Sequence, residues 1–264
     1  MKYFGLPIFA FCVLTACAGN AAKPAVQTAV YDEKAIPAGA PGDLIRYGRE
    51  LILNTRAHMR PYAVANMDCA ACHVAGGTQA KGGSFVGIYG EFPQWNARAH
   101  RMIALQDRLA ECFLYSMNGK PPAYNSREMT ALVAYIAYLS RGTPVGASPD
   151  PGVKLTKFAA PQPVNAQRGA GLYAQRCAAC HGANGAGSLA FPPLWGATSF
   201  NGGAGMHRLW TMAAFVRYNM PQDAPGTLTA QQAYDVSAYV LGHARPRFQG
   251  SRPIAFPPRP AKYF

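Results

Sequence analysis

Cys69-Ala70-Ala71-Cys72-His73 returns 108 positions later as Cys177-Ala178-Ala179-Cys180-His181. Two thiols at that spacing add to the two vinyl groups of one haem, and the imidazole that follows is placed to ligate the iron through a ring nitrogen. A redox dithiol or half of a zinc site also uses paired cysteines. Neither needs a histidine directly after the second thiol, and zinc needs a second matching pair inside one compact unit. The two copies therefore predict two covalently bound haem c groups. Cys69, Cys72, Cys177 and Cys180 would hold them, with His73 and His181 as the first axial ligands.

The 264 residues leave room for two modest domains, at about 100–200 residues each. Charged side chains make up only 14% while Gly and Pro number 27 and 22, a balance that suits helices joined by long loops around a large apolar cofactor. The leader reads as an export signal. Lys2 precedes an apolar run from Tyr3 to Ala16, too short to span a membrane as a mature helix, which ends in Leu14-Thr15-Ala16-Cys17. That ending resembles a bacterial lipoprotein signal, which implies lipidation at Cys17 and a lipid-anchored protein on the periplasmic side; Ala18 favours the outer membrane. The alternative is an ordinary signal peptide cut near Ala18, giving a soluble periplasmic protein.

Cysteine use is informative in an oxidising compartment. Of seven cysteines, Cys12 leaves with the leader, Cys17 takes the lipid and four hold haem, so Cys112 has no disulfide partner. Removing the leader removes Lys2 and no acid, leaving 24 basic against 12 acidic side chains. Such a protein attracts anions, and an exported haem protein makes nucleic acid a poor candidate among them. Small anionic substrates, anionic lipid or an acidic redox partner fit better.

Residues 18–42 are rich in Ala, Pro and Gly and read as a tether. Asp43 is placed to cap a helix running to about Arg56, and glycines 76, 77, 82 and 83 mark a loop after the first motif. Helical patterning resumes near Gln94 and continues to Met117, where Asn118-Gly119 supplies a stop. Met129, Leu132, Val133, Ile136 and Leu139 then predict a helix from Ser126 to Leu139. Residues 143–164 contain five prolines and form the expected linker between a first domain, 43–142, and a second, 165–245. The second half repeats the first: a helix over Gln167–Arg176, the motif, a glycine loop, and a closing helix over Ala230–Ala244. Pro192-Pro193-Leu194 lies where a backbone carbonyl could hold the second proximal imidazole. The tail, 246–264, carries five prolines and four basic residues and reads as an extended segment. Helix, motif, loop and closing helix follow the order of a class I cytochrome c domain. The expected fold is all-α, two tandem class I cytochrome c-like domains, each with one covalent haem.

The sixth ligands decide between electron carrier and enzyme. In the second half Asn219-Met220-Pro221 lies ahead of the closing helix, where class I cytochromes c place a methionine, and a soft thioether raises the potential. His207 is the rival, while Met206 and Met212 serve as packing. In the first half the repeat nominates Met117, with His100 as a further candidate, but Cys112 lies nearby. In a continuous helix Arg108, Cys112 and Ser116 fall at i, i+4 and i+8, with Arg101 and Arg98 close to the same face. Cations beside a thiol favour the thiolate, which binds iron and attacks sulfur. The alternative is a buried inert cysteine whose neighbouring arginines pair with acids or haem propionates.

Ser84-Phe85-Val86-Gly87-Ile88-Tyr89-Gly90, Phe92-Pro93-Gln94-Trp95, and Asp107-Arg108-Leu109-Ala110-Glu111-Cys112-Phe113 with Ser116-Met117-Asn118-Gly119 resemble the thiosulfate dehydrogenase family of dihaem cytochromes c. The resemblance implies that Cys112 ligates haem 1 opposite His73, that Arg98, Arg108 and Ser116 belong to the active site, and that Met220 ligates haem 2. Some relatives have Lys where this chain has Asn219. The implied reaction joins two thiosulfates into tetrathionate, reversibly. Arginines would offset the repulsion between the dianions, Cys112 would act as a nucleophile, and electrons would pass from a low-potential haem 1 to haem 2 and an external acceptor such as another c-type cytochrome. Three rivals remain. They are a haem–cysteine thiosulfotransferase subunit of a sulfur-oxidising complex, a membrane-tethered dihaem electron shuttle, and a peroxidase, the last giving Cys112 and the arginines no task.

Overall fold

The computed structural model describes residues 31–248 together with Met1. Cys17, the leader, most of the expected tether and the tail beyond Phe248 lie outside the described residues. The longer helices are α1 (Ala40–Leu53), α2 (Leu105–Glu111), α3 (Arg127–Tyr138), α4 (Ala166–Arg176), α5 (Leu209–Asn219) and α6 (Ala230–Leu241).

Each half is built on one close helix crossing. α1 packs on α3, and α4 on α6. Both crossings are made at a glycine: a Cβ on Gly48 would lie 2.0 Å from the Ala131 carbonyl oxygen, and one on Gly169 would lie 2.0 Å from that of Asp235. The apolar periodicity of α3 follows from this packing, since Met129, Leu132, Tyr135, Ile136 and Leu139 are all buried. Ser126 caps α3 by accepting from the Met129 N–H, and Asn165 caps α4 by accepting from that of Arg168. α1 starts earlier than an Asp43 cap predicts. Gly39 takes the cap position at φ 76, proline occupies the first turn, and Asp43 lies inside that turn, where its charge meets the helix dipole. α6 ends at Leu241, three residues short of the expected Ala244.

The main correction falls on the helix expected from Gln94 to Met117. Its first part is an antiparallel hairpin of β1 (Gln94–Asn96) and β2 (Arg101–Ile103), with Trp95 opposite Met102. The side chain of Asn96 decides the turn: its Oδ1 accepts from the N–H groups of Arg98 and Ala99, both at 2.9 Å. This local bond outcompetes the helix-favouring Ala and Arg around it. His100 then takes a left-handed conformation, φ 51. α2 begins only at Leu105, where Asp107 Oδ2 accepts from the Ala104 N–H at 3.0 Å. It ends in a π-turn, Cys112–Ser116, closed by a bond from the Met117 N–H to the Cys112 carbonyl five residues back, 2.9 Å. The fold is mostly helical, as expected, and this short hairpin is the strand pair among the described residues.

Two connecting segments are packed. Tyr31 sets its ring edge-on to Tyr135 and Tyr138, and the Tyr138 hydroxyl donates to the Asp32 carbonyl, so the expected tether is docked on α3 from Tyr31 onward. The middle of the proline-rich linker is pinned to both halves. Lys154 pairs with Glu91 at 2.6 Å, and Phe158 packs edge-on to Tyr218 and Tyr234. The halves also bond directly: the Asn66 N–H donates to the Thr198 carbonyl, and Asn219 Nδ2 to that of Lys81, each at 2.8 Å.

Candidate active site

The proximal histidines are fixed alike. His73 Nδ1 donates to the Gly83 carbonyl at 2.5 Å and His181 Nδ1 to the Pro192 carbonyl at 2.9 Å. A carbonyl only accepts, so each ring carries its proton on Nδ1 and presents Nε2 bare, the nitrogen that can ligate iron. Burial, with a smaller contribution from the Arg108 charge, pushes the His73 imidazole down to about 4; burial lowers His181 as well. Both rings are neutral at pH 7, as ligation requires. The Pro192 contact was legible in the sequence; the Gly83 contact was not. Gly83, at φ +64, would place a Cβ 2.3 Å from the Cys72 carbonyl oxygen, so glycine alone permits this approach.

The motif thiols belong to the same frame. The Cys69 N–H donates to the buried Thr55 hydroxyl at 2.9 Å, tying the motif to the end of α1. Burial pushes the Cys69 and Cys72 thiols up to about 12 and Cys177 up to about 11. They are neutral sulfurs: burial dominates all three, and at Cys177 the Arg176 charge offsets only part of it.

The second half fits a haem. A cavity of about 720 Å³ has Cys177, Cys180 and His181 on its wall, with Met206, Met212 and Met220 also lining it. That is the size of a cofactor site. The wall reaches the first motif at Ala70, Ala71 and Cys72. Two buried polar atoms beside it, Arg245 Nε and His207 Nδ1, have no hydrogen-bond partner among the described residues. Arg245 bonds the carbonyls of Leu194 and Val240 and lies 4.4 Å over the Phe200 ring, and all three of those residues line the cavity. A haem propionate would supply the anion that this half-buried cation lacks among the described residues. The rival ligand His207 is not on the cavity wall, whereas Met220 is.

The first half presents a donor set. Cys69, His73, Cys112 and Met117 line one pocket, together with Ile52, Phe85 and Leu109. The pocket is narrow, about 20 Å³, so it shows which donors converge rather than the seat of a ring. Arg108 Nη1 donates to Cys112 Sγ at 3.3 Å, and a charged donor on sulfur stabilises negative charge there. The Cys112 sulfur in turn holds the Arg108 guanidinium more firmly protonated than usual.

A polar chain runs on from Arg108. The guanidinium lies 3.5 Å from Glu111, whose other oxygen accepts from Asn96 Nδ2 at 3.0 Å. Asn96 also holds the Arg98 N–H, while the Arg98 side chain lies 4.1 Å over the Tyr115 ring and donates to the Gly203 carbonyl at 3.2 Å. Arg98 thus joins the Cys112 region through the hairpin and not along a helix.

Ser116 closes the π-turn that Cys112 opens, so the regular i, i+4, i+8 stripe does not hold beyond Cys112. Arg101 pairs with Asp107 at 3.1 Å instead. His100 is exposed at the hairpin turn and off the pocket wall, while Met117 remains on it. Asn96 and Glu111 were missed by the sequence reading; an acidic residue directly before the unpaired cysteine was the available signal.

Residues 57–145 match the family model described as SoxA/TsdA, cytochrome c domain, and residues 166–244 match that described as Cytochrome c. The thiosulfate dehydrogenase of Allochromatium vinosum is 39% identical over 236 residues, 86% of this chain and 87% of that protein. That of Stutzerimonas stutzeri is 38% identical over 221 residues, covering 81% and 72%. Among solved structures, the thiosulfate dehydrogenase TsdBA from Marichromatium purpuratum, in its as-isolated form, superposes with a TM-score of 0.78 at 36% identity. The match covers 84% of this chain and about half, 51%, of that one.

Proposed function

The chain belongs to the thiosulfate dehydrogenase family, with two cytochrome c domains that carry two covalently bound haem c groups, and we propose that it oxidises two thiosulfates to tetrathionate at Cys112. The observation that carries this reading is the Arg108 hydrogen bond to a Cys112 sulfur that shares a pocket with His73.

When bound, the two haems supply one-electron acceptors, two per molecule, matching the two electrons that leave as the sulfur–sulfur bond forms. The protein supplies charge and a nucleophile. Arg108 and Arg98 offset the repulsion between thiosulfate dianions, most strongly where water is excluded. The Cys112 sulfur, as thiolate, bonds to the outer sulfur of one thiosulfate as two electrons are withdrawn. The outer sulfur of a second thiosulfate then attacks the sulfur joined to Cys112. Tetrathionate forms, and the cysteine leaves as thiolate. Each step balances, and Cys112 is regenerated. Run backwards, the same steps reduce tetrathionate. Ser116, at the end of the π-turn, completes the proposed site.

Cys112 and His73 would supply the side chains that hold the haem iron in the first domain at rest, and Met220 and His181 those in the second. The proposal extends to export, with a lipid on Cys17 and the protein facing the periplasm, and to a c-type cytochrome or similar redox protein as electron acceptor. The haem-loaded protein should reduce ferricyanide only when thiosulfate is added, yielding one tetrathionate for every two ferricyanides. A reading as a thiosulfotransferase predicts instead thiosulfonation of a carrier protein's cysteine, with no free tetrathionate. An electron shuttle predicts neither product.

A further inference from the structure

The π-turn that carries Cys112 is held from outside its own domain. In a helix end of this shape the last carbonyls have no donor further along the chain, and burying them unbonded is costly. Here Asn201, from the second half, takes two of them. Its Nδ2 donates to the Leu114 carbonyl at 2.7 Å, and its main-chain N–H to the Tyr115 carbonyl at 3.2 Å. Nδ2 also lies 3.4 Å from Asn118 Oδ1. Asn201 is 1% exposed, so water does not substitute for these bonds.

The same short loop grips the other side of the site. Asn201 Oδ1 accepts from the Gly203 N–H at 2.9 Å, and the Gly203 carbonyl accepts from Arg98. The fit is close: a Cβ on Gly203 would lie 2.8 Å from Tyr115 Cδ1. Immediately before Asn201, Phe200 lines the haem-sized cavity of the second half.

We propose that Asn201 is a positioning residue for Cys112: the second domain completes the first domain's site by fixing the π-turn from which the thiolate projects. The inference rests on the reading of Cys112 given above but is tested without turnover. In the haem-loaded full chain, iodoacetamide labelling would be followed at the Cys112 peptide, beside the ferric spectrum of the first haem. Asn201→Ala should raise the labelling rate about fivefold, the size expected for one lost hydrogen bond, and should alter that spectrum. Gly203→Ala, which pushes on Tyr115 without removing a donor, should shift both in the same sense and guards against an Asn201 variant that fails to fold. Gln79→Ala removes a different bond between the halves, Nε2 to Asn219 Oδ1 at 2.7 Å, and should leave both readouts at wild-type values. Unchanged labelling and spectrum in Asn201→Ala and Gly203→Ala, or equal changes in Gln79→Ala, would overturn the proposal. Tetrathionate formation by Cys112→Ser would instead overturn the catalytic reading, and the labelling result would stand apart from it.

Discussion

Arg108 is the side chain on which charge and position meet most closely, since one guanidinium bonds the Cys112 sulfur and faces Glu111. Nη1 makes both contacts, and lysine retains the charge but not the planar guanidinium that sets that nitrogen's position. Arg108→Lys should therefore lower kcat/KM for thiosulfate by about tenfold to a hundredfold, the range for a lost charged hydrogen bond at a reacting centre. Steady-state ferricyanide assays would show it, and a wild-type value would remove the hydrogen bond from the account. In the second half three methionines line the cavity, and Met220 follows Asn219, which is bonded at both amide atoms to the first domain. Met220→Leu should lose the methionine–iron charge-transfer band, while Met206→Leu and Met212→Leu keep it. Survival of the band in Met220→Leu would transfer ligation to another residue.

At the scale of elements, the sequence made the repeated parts legible and the singular ones obscure. The motifs, α3 and α4 follow from spacing, apolar period and capping residues, each a local signal. The hairpin did not, because Ala97, Arg98, Ala99 and Arg101 favour helix while the deciding interaction is one Asn96 side chain bonding its own backbone. The π-turn at Cys112 was equally hidden: a one-residue widening leaves no mark on hydrophobic spacing, and its carbonyls are satisfied by Asn201 from a distant part of the chain. The two glycine crossings were also invisible, since a glycine inside a helix reads as a weakness until its neighbour is known. Gly48→Ala places a methyl against the Ala131 carbonyl and should destabilise the first half by about 3 kcal/mol, the upper part of the range for overpacking. Thermal unfolding of the haem-loaded protein would measure this; an unaltered melting temperature would mean that the α1–α3 crossing relaxes freely.

At the scale of the whole molecule, the half proposed as catalytic and the half proposed to accept its electrons share an interface. The wall of the second cavity reaches the first motif, Asn219 ties the Met220 loop to Lys81 and Gln79, and the loop around Asn201 grips the Cys112 turn and Arg98. The excess of basic side chains draws in anionic substrate, an effect that salt should weaken. The proposed chemistry turns on one sulfur, that of Cys112. The most direct test compares tetrathionate formed from thiosulfate, with ferricyanide as acceptor, by wild type and by Cys112→Ser, each verified to hold both haems. The account predicts tetrathionate from wild type and none above background from the variant. Equal yields from the two would contradict it and return Cys112 to a packing role.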